Sequence, residues 1–193
     1  LAQLGDFERA RPLVRRAARA FGAKDPVARA RCVVAEAEIA LASRDLGWPT
    51  AALEAARATL EHHGDRRNAA YAGYLAGRRL VLMGRLEQAE QVLSELDPAP
   101  FPPALRAVHE LALAGIALRR VQATAARAAL ARAAQAAQAA GIPALQAEVR
   151  QAWQTLEAPA AHLHHAGQTR MLRLDDVEAL LASDTLVIDA CRY

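Results

Sequence analysis

The chain has 193 residues, of which 53% are apolar and only 4% aromatic, and its formal net charge is +3. Alanine, the strongest helix former, is the commonest apolar residue, so a mainly helical fold is expected. A charge this small, carried by arginines that alternate with acids, argues against a nucleic-acid-binding surface. No apolar stretch reaches the roughly 20 residues that span a bilayer and no signal peptide is evident, which predicts a cytoplasmic protein without membrane contact.

Helix start and stop signals divide residues 1–157 into eight predicted helices. Asp25-Pro26 gives a capping residue followed by a first-turn proline, and Pro49, Pro102-Pro103 and Pro143 mark further starts. The predicted helices lie near residues 6–22, 26–44, 50–63, 67–83, 85–97, 103–120, 123–140 and 143–157. This density of short helices predicts an all-α fold.

A repeated turn connects these helices. The turns fall at Gly5, Gly47, Gly84 and position 121, which are 42, 37 and 37 residues apart. Glycine permits the positive φ that ends one helix and redirects the chain into the next. Five residues after each turn comes an alanine, where a larger side chain would push two crossing helices apart: Ala10, Ala52, Ala89 and Ala126.

The third turn carries a family resemblance. Gly84, Leu86 and Ala89 resemble the turn glycine, large residue and signature alanine of tetratricopeptide repeats, and Gly77 matches the small residue of the first helix. The pattern departs from that family at Gly73, where a large aromatic residue is usual, and in a spacing longer than the usual 34 or so residues. The resemblance implies an α-solenoid of antiparallel helix pairs over residues 1–157.

The same resemblance suggests a binding surface. In such repeats the first helix of each pair lines a concave groove that receives a protein or peptide. From the Gly84 register, the groove positions fall on Tyr71, Tyr74 and Arg78, which belong to the residue types that dominate binding hot spots. Packing of both tyrosines against the neighbouring repeat is the alternative interpretation.

The amino-acid composition and the helical pattern of the chain change after residue 157. Residues 158–170 are interpreted as a linker, in which His162, His164 and His165 are polar surface rather than metal ligands, because no cysteine or acid accompanies them. Residues 171–193 are expected to hold a short helix near 175–181 and a strand at 185–190, a short α/β remnant in which a second domain begins. We expect the strand to be covered by the last helices or by the same segment of a second copy, the latter giving a homodimer.

No phosphate-binding loop, nucleophile elbow or paired-cysteine zinc motif is present, so the sequence predicts neither an enzyme nor a cofactor or metal site. Residues 172–193 resemble the start of a winged-helix DNA-binding domain. The leading interpretation is therefore an interaction or signal-receiving module of a bacterial transcriptional regulator, which itself makes no nucleic acid contact. A free-standing scaffold for a cytoplasmic complex and a helical accessory domain of an ATP-dependent enzyme are the alternatives, and the sequence after Tyr193 would distinguish the three.

Overall fold

The computed structural model describes residues 5–184 and 186–188, and this part of the chain is mainly helical, which confirms the predicted class. Its elements are α1 Phe7–Phe21, α2 Pro26–Ala42, α3 Thr50–His62, α4 Arg66–Leu82, α5 Leu86–Ser94, α6 Pro103–Arg119, α7 Ala123–Ala140, α8 Pro143–Glu157, β1 Ala161–His165, β2 Gln168–Leu172 and α9 Leu174–Leu181. The first eight helices match the eight predicted ones. Among the described residues no helix combines the length and apolar character that crossing a membrane would require.

Capping explains several helix starts. The side chains of Asp6, Asp25 and Asp65 each accept a hydrogen bond from a backbone N–H in the first turn of α1, α2 and α4. Helices α2, α6 and α8 have a proline in the first turn, where the missing N–H leaves no bond unmade. These local signals fix the helix boundaries before any tertiary contact is considered.

The chain divides into two compact units, with the boundary along the chain between Phe101 and Pro102. In the first unit each of the helices α1 to α4 packs on the helix that follows it, and α2 also contacts α4. Its core includes Trp48, whose ring lies 5.6 Å from the guanidinium carbon of Arg79. In the second unit α6, α7 and α8 pack together, and α9 contacts both α7 and β2.

Four turns share one left-handed geometry. Arg44, Gly64, Gly84 and Val121 have φ values of 60°, 75°, 74° and 57°. In each turn the next residue donates its backbone N–H to a carbonyl five residues back, as Arg85 does to Leu80. Gly47 was predicted to have this geometry, and that prediction is wrong because Arg44, three residues earlier, provides the left-handed residue instead.

The alanines expected at helix crossings follow the turns, with one exception. Ala10, Ala89 and Ala126 are buried, which confirms three of the four positions. Ala52 is exposed, and Leu53 occupies the buried place instead. The reason is a longer connection: Pro49, the residue before α3, lies five positions after the left-handed Arg44, whereas Arg85, the residue before α5, directly follows the left-handed Gly84.

Two glycines allow α4 and α5 to approach closely. A Cβ atom at Gly77 would lie 2.5 Å from Cδ2 of Leu93, and one at Gly73 would lie 2.6 Å from Cδ2 of Leu96. No side chain fits at such distances unless its neighbour moves. Gly77 therefore has the packing role predicted for it, and Gly73 stands in place of a large aromatic residue because Leu96 fills that space.

The predicted linker is largely ordered, which is a correction. Within it β1 pairs antiparallel with β2, from Ala161 opposite Leu172 to His165 opposite Gln168. Ala166 and Gly167 form the two-residue turn, both at positive φ. The sequence did not predict these strands because polar residues occur on both faces of the hairpin, so the usual alternation of apolar and polar residues is missing.

The predicted strand at 185–190 is also corrected where it can be described. Residues 186–188 have no strand structure, and Leu186 and Ile188 are 88% and 75% exposed in the single chain, so the expected cover by the chain's own last helices is wrong for them, while cover by a second copy stays a prediction. Positions 185, 189 and 190 lie outside the described residues. The short helix is confirmed as α9, where the Asp176 carboxylate accepts from the backbone N–H of Arg173.

Candidate functional site

A pocket of about 290 Å³ opens between α2 and α4 in the first unit. Both helices supply its lining, with polar groups and leucines together. The lining residues are Glu38, Leu41, Ala42, Arg44, Tyr71, Tyr74, Leu75, Arg78 and Leu82. The pocket can therefore offer hydrogen bonds and an apolar surface to the same small group.

Aromatic rings form one wall of this pocket. Tyr71 and Tyr74, one helical turn apart on α4, stack with their ring centroids 6.0 Å apart and their planes 16° from parallel. Phe101 meets Tyr74 edge-on from behind, at 6.5 Å between centroids. Tyr74 is only 4% exposed and Tyr71 is half-buried. Tyr71 is therefore the ring that a ligand in the pocket can contact more fully, while Tyr74 packs behind it.

Arg78 lies on the same wall and forms no ion pair with a described residue. Its Nη1 donates a 2.8 Å hydrogen bond to the Tyr74 hydroxyl oxygen, and its guanidinium carbon lies 5.8 Å from the centre of the Tyr74 ring. Among the described residues no carboxylate lies within 4.0 Å of it, whereas Arg11, Arg31 and Arg66 all pair with acids. Arg78 thus keeps donors available to a ligand.

Glu38 brings the opposite charge from α2. Burial raises the pKa of Tyr71 well above its usual value, and the negative charge of Glu38 together with a hydrogen bond to that carboxylate raises it further. The Tyr71 hydroxyl therefore stays protonated throughout the physiological pH range. The pocket thus presents the carboxylate of Glu38 and the guanidinium group of Arg78 beside one aromatic wall.

The three residues predicted for the groove, Tyr71, Tyr74 and Arg78, all line this pocket. Glu38 and Arg44 were missed, since they precede the helix pair from which the register was taken. A signal for Glu38 existed: it stands six residues before the left-handed Arg44, as Arg78 stands six residues before Gly84. Glu38 and Arg78 therefore occupy the same repeat position with opposite charges.

Other chemically suggestive groups do not join the pocket. Cys32 is half-buried, and burial raises the pKa of its thiol, which disfavours the reactive thiolate. Glu110 is buried in the second unit, where its Oε2 lies 2.9 Å from Nη2 of Arg132 in an ion pair. In the described part of the chain, no three histidine, cysteine or acidic side chains come together as a metal site.

Comparisons with known proteins leave this geometry as the main guide to function. No protein-family model, curated protein or solved structure matches the chain.

Proposed function

We propose that the chain is a non-catalytic protein-interaction module, built on a tetratricopeptide-like solenoid plan, that holds a segment of a partner protein between α2 and α4. One observation carries this proposal: the residues expected to face the groove of such a fold line a single pocket with Glu38. Tyrosine and arginine also dominate the energetics of protein interfaces, because they combine large contact area with directed hydrogen bonds.

The size and chemistry of the pocket indicate what it can hold. Its volume of about 290 Å³ lies at the small end of ligand pockets, which suits one or two residues of a bound segment. Leu41, Leu75 and Leu82 can take an apolar side chain, while Arg78 and Glu38 can bond main-chain or polar side-chain groups. A partner segment would thus be anchored by one apolar side chain and oriented by its polar groups.

The test fills the pocket and leaves the fold intact. Ala42 lines the pocket and is exposed, so Ala42→Trp should occupy the space, and Ala55→Trp adds the same ring to an exposed site on α3 outside the pocket. Peptides selected from a random displayed library on the wild-type chain should bind Ala42→Trp at least about tenfold more weakly, a loss of some 1.4 kcal/mol, and Ala55→Trp equally well. Selected peptides that bind both variants as they bind the wild type would contradict the proposal.

The wider role that we propose is signal reception within a cytoplasmic bacterial transcriptional regulator. The support is the resemblance of residues 172–193 to the start of a winged-helix domain, together with a net charge of +3 that is too small for DNA binding by this part. Fluorescence anisotropy with a labelled duplex should therefore detect no binding at physiological salt. Sequence-selective binding that weakens steeply with salt would contradict this role for the chain.

A further inference from the structure

The β1–β2 hairpin gathers soft metal-binding groups on one of its faces. Residues directly opposite each other in an antiparallel pair project to the same side, and residues two apart on a strand also share a side. His162 lies opposite Met171, and His164 lies opposite Thr169. Two imidazoles and a thioether therefore occupy neighbouring positions on a single face.

This face is turned to solvent. His162, His164 and Thr169 are exposed, and Met171 is 61% exposed. The opposite face carries the buried Leu172 and the half-buried Leu163. An incoming ion would thus reach the imidazoles and the thioether without any rearrangement of the core.

A hydrogen bond orients one of the imidazoles. Nδ1 of His164 lies 2.9 Å from Oγ1 of Thr169. When Nδ1–H donates to this hydroxyl oxygen, the lone pair of Nε2 is left free for a metal ion, and the ring is held in place as outer-shell partners hold metal-ligating histidines. In that tautomer Thr169 acts as a positioning residue for His164.

We propose that His162, His164 and Met171 form a binding site for a soft monovalent transition-metal ion, Cu(I). Imidazole and thioether are both neutral ligands, and thioethers select Cu(I) over the harder divalent ions. A structural zinc site would usually take four ligands, commonly with thiolates or carboxylates among them, and no such group lies among these residues. This chemistry is independent of the pocket between α2 and α4.

His165 provides a matched control. It lies next to His164 in the chain but opposite Gln168, on the other face of the hairpin. His165→Gln therefore removes the same functional group from the same strand while leaving the proposed ligands in place. All binding measurements use the untagged chain with Cys32→Ser and Cys191→Ser, because thiolates would compete for Cu(I).

The experiment is anaerobic competition for Cu(I) against the coloured chelator ferrozine. The parent chain should withdraw one equivalent, and His165→Gln should match it. His162→Gln, His164→Gln and Met171→Leu should each weaken binding by about tenfold or more, since loss of an outer-shell partner alone costs roughly 10–100-fold. Addition of Ag(I), an air-stable substitute, should shift the NMR signal of the Met171 methyl group.

Three results would overturn the assignment. The first is failure of the parent chain to withdraw Cu(I), with no change in the Met171 signal. The second is equal weakening by His165→Gln, which would mean that scattered surface imidazoles bind the ion. The third is unchanged Cu(I) affinity in Met171→Leu, which would exclude the thioether as a ligand.

Discussion

The helix pairs α4–α5 and α6–α7 share one sequence plan but fill the space between their helices differently. Gly77, seven residues before the left-handed Gly84, leaves no room for a Cβ atom beside Leu93. At the same distances from the left-handed Val121, α6–α7 has Ala114 and Leu130, both buried in one cluster. One pair excludes a methyl group that the other accommodates.

The difference shows which part of the repeat is fixed. The leucine of the second helix is fully buried in both pairs, and the residue seven positions before the left-handed turn is small in both. Whether that small residue is glycine or alanine sets how closely the leucine packs against the first helix. The two helix pairs therefore share a small residue before the turn and a buried leucine after it, rather than an identical pair of residues.

The largest expected effect tests the two leucines themselves. Leu93→Ala and Leu130→Ala should each lower the free energy of unfolding by about 2–5 kcal/mol, because a fully buried side chain leaves a cavity. In a Gly77→Ala background, Leu93→Ala should cost less, since the new methyl group would enter the vacated space. Urea unfolding of the double-mutant cycle measures this coupling, and strictly additive losses would show that Gly77 and Leu93 do not share that space.

The next effect compares two helical glycines. Gly77→Ala should destabilise the chain by about 1–2 kcal/mol, because overpacking against Leu93 outweighs the better helix propensity of alanine. Gly115→Ala on α6 should instead stabilise it by up to about 1 kcal/mol, since its Cβ would meet only the flexible end of Arg119, at 3.3 Å. Thermal unfolding gives both signs, and a stabilising Gly77→Ala would refute the close approach of α4 and α5.

A smaller effect concerns the turns that end α4 and α6. Val121 is β-branched at φ 57°, a conformation that costs a non-glycine residue about 1–2 kcal/mol. Val121→Gly should raise the free energy of unfolding by up to about 1 kcal/mol, because the gain is partly offset by the greater freedom of glycine in the unfolded chain. Gly84→Val should lower it by a similar amount. Equal stability of all three chains in urea would mean that neither turn needs its left-handed residue.

The smallest effect involves α9, which contacts the α6–α7 pair through α7. Arg127 donates to both carboxylate oxygens of Asp175, and these hydrogen bonds hold the pKa of Asp175 below its usual range. A lowered pKa in the folded state means that the contact stabilises docking above the ordinary aspartate pKa of about 3.9 and is lost as the pH falls below it. Between pH 5 and pH 3, NMR signals of α9 should show progressive release, and Asp175→Asn should weaken docking at pH 5 and flatten the change. An identical titration of the variant would assign the release to another group.

Most of the helical framework could be predicted because its signals are local. A capping aspartate, a first-turn proline and a left-handed glycine each act within one turn of helix, so the starts of α1, α2 and α4 needed no tertiary information. The burial predicted for Ala52 was wrong because the left-handed residue of that turn is not a glycine and cannot be recognised from the local sequence. A valine or an arginine can occupy a left-handed turn when packing over-determines it, and a search for glycine then selects Gly47 in place of Arg44.

The candidate sites were less accessible from the sequence. The side chains of Tyr71, Tyr74 and Arg78 could be placed on one helix face by their spacing, yet the burial of Tyr74 depends on Phe101, 27 positions further along the chain. The hairpin was hidden because its outer face is polar and its inner face is covered mainly at Leu172. His162 lies opposite Met171 because of the register in which the two strands pair. Polar strands specify their register only weakly, so this pairing could not be read from the sequence.

The positions of the two tryptophans give each compact unit its own optical reporter. Trp48 is buried in the first unit against Arg79, and Trp153 packs on the core of the second beside Leu130 and Leu156. Trp153→Phe would leave fluorescence that follows only the first unit, and Trp48→Phe only the second. Ligand addition, metal loading or heating could then be followed unit by unit in the intact chain, and a difference between the two emission curves would reveal whether the units unfold together.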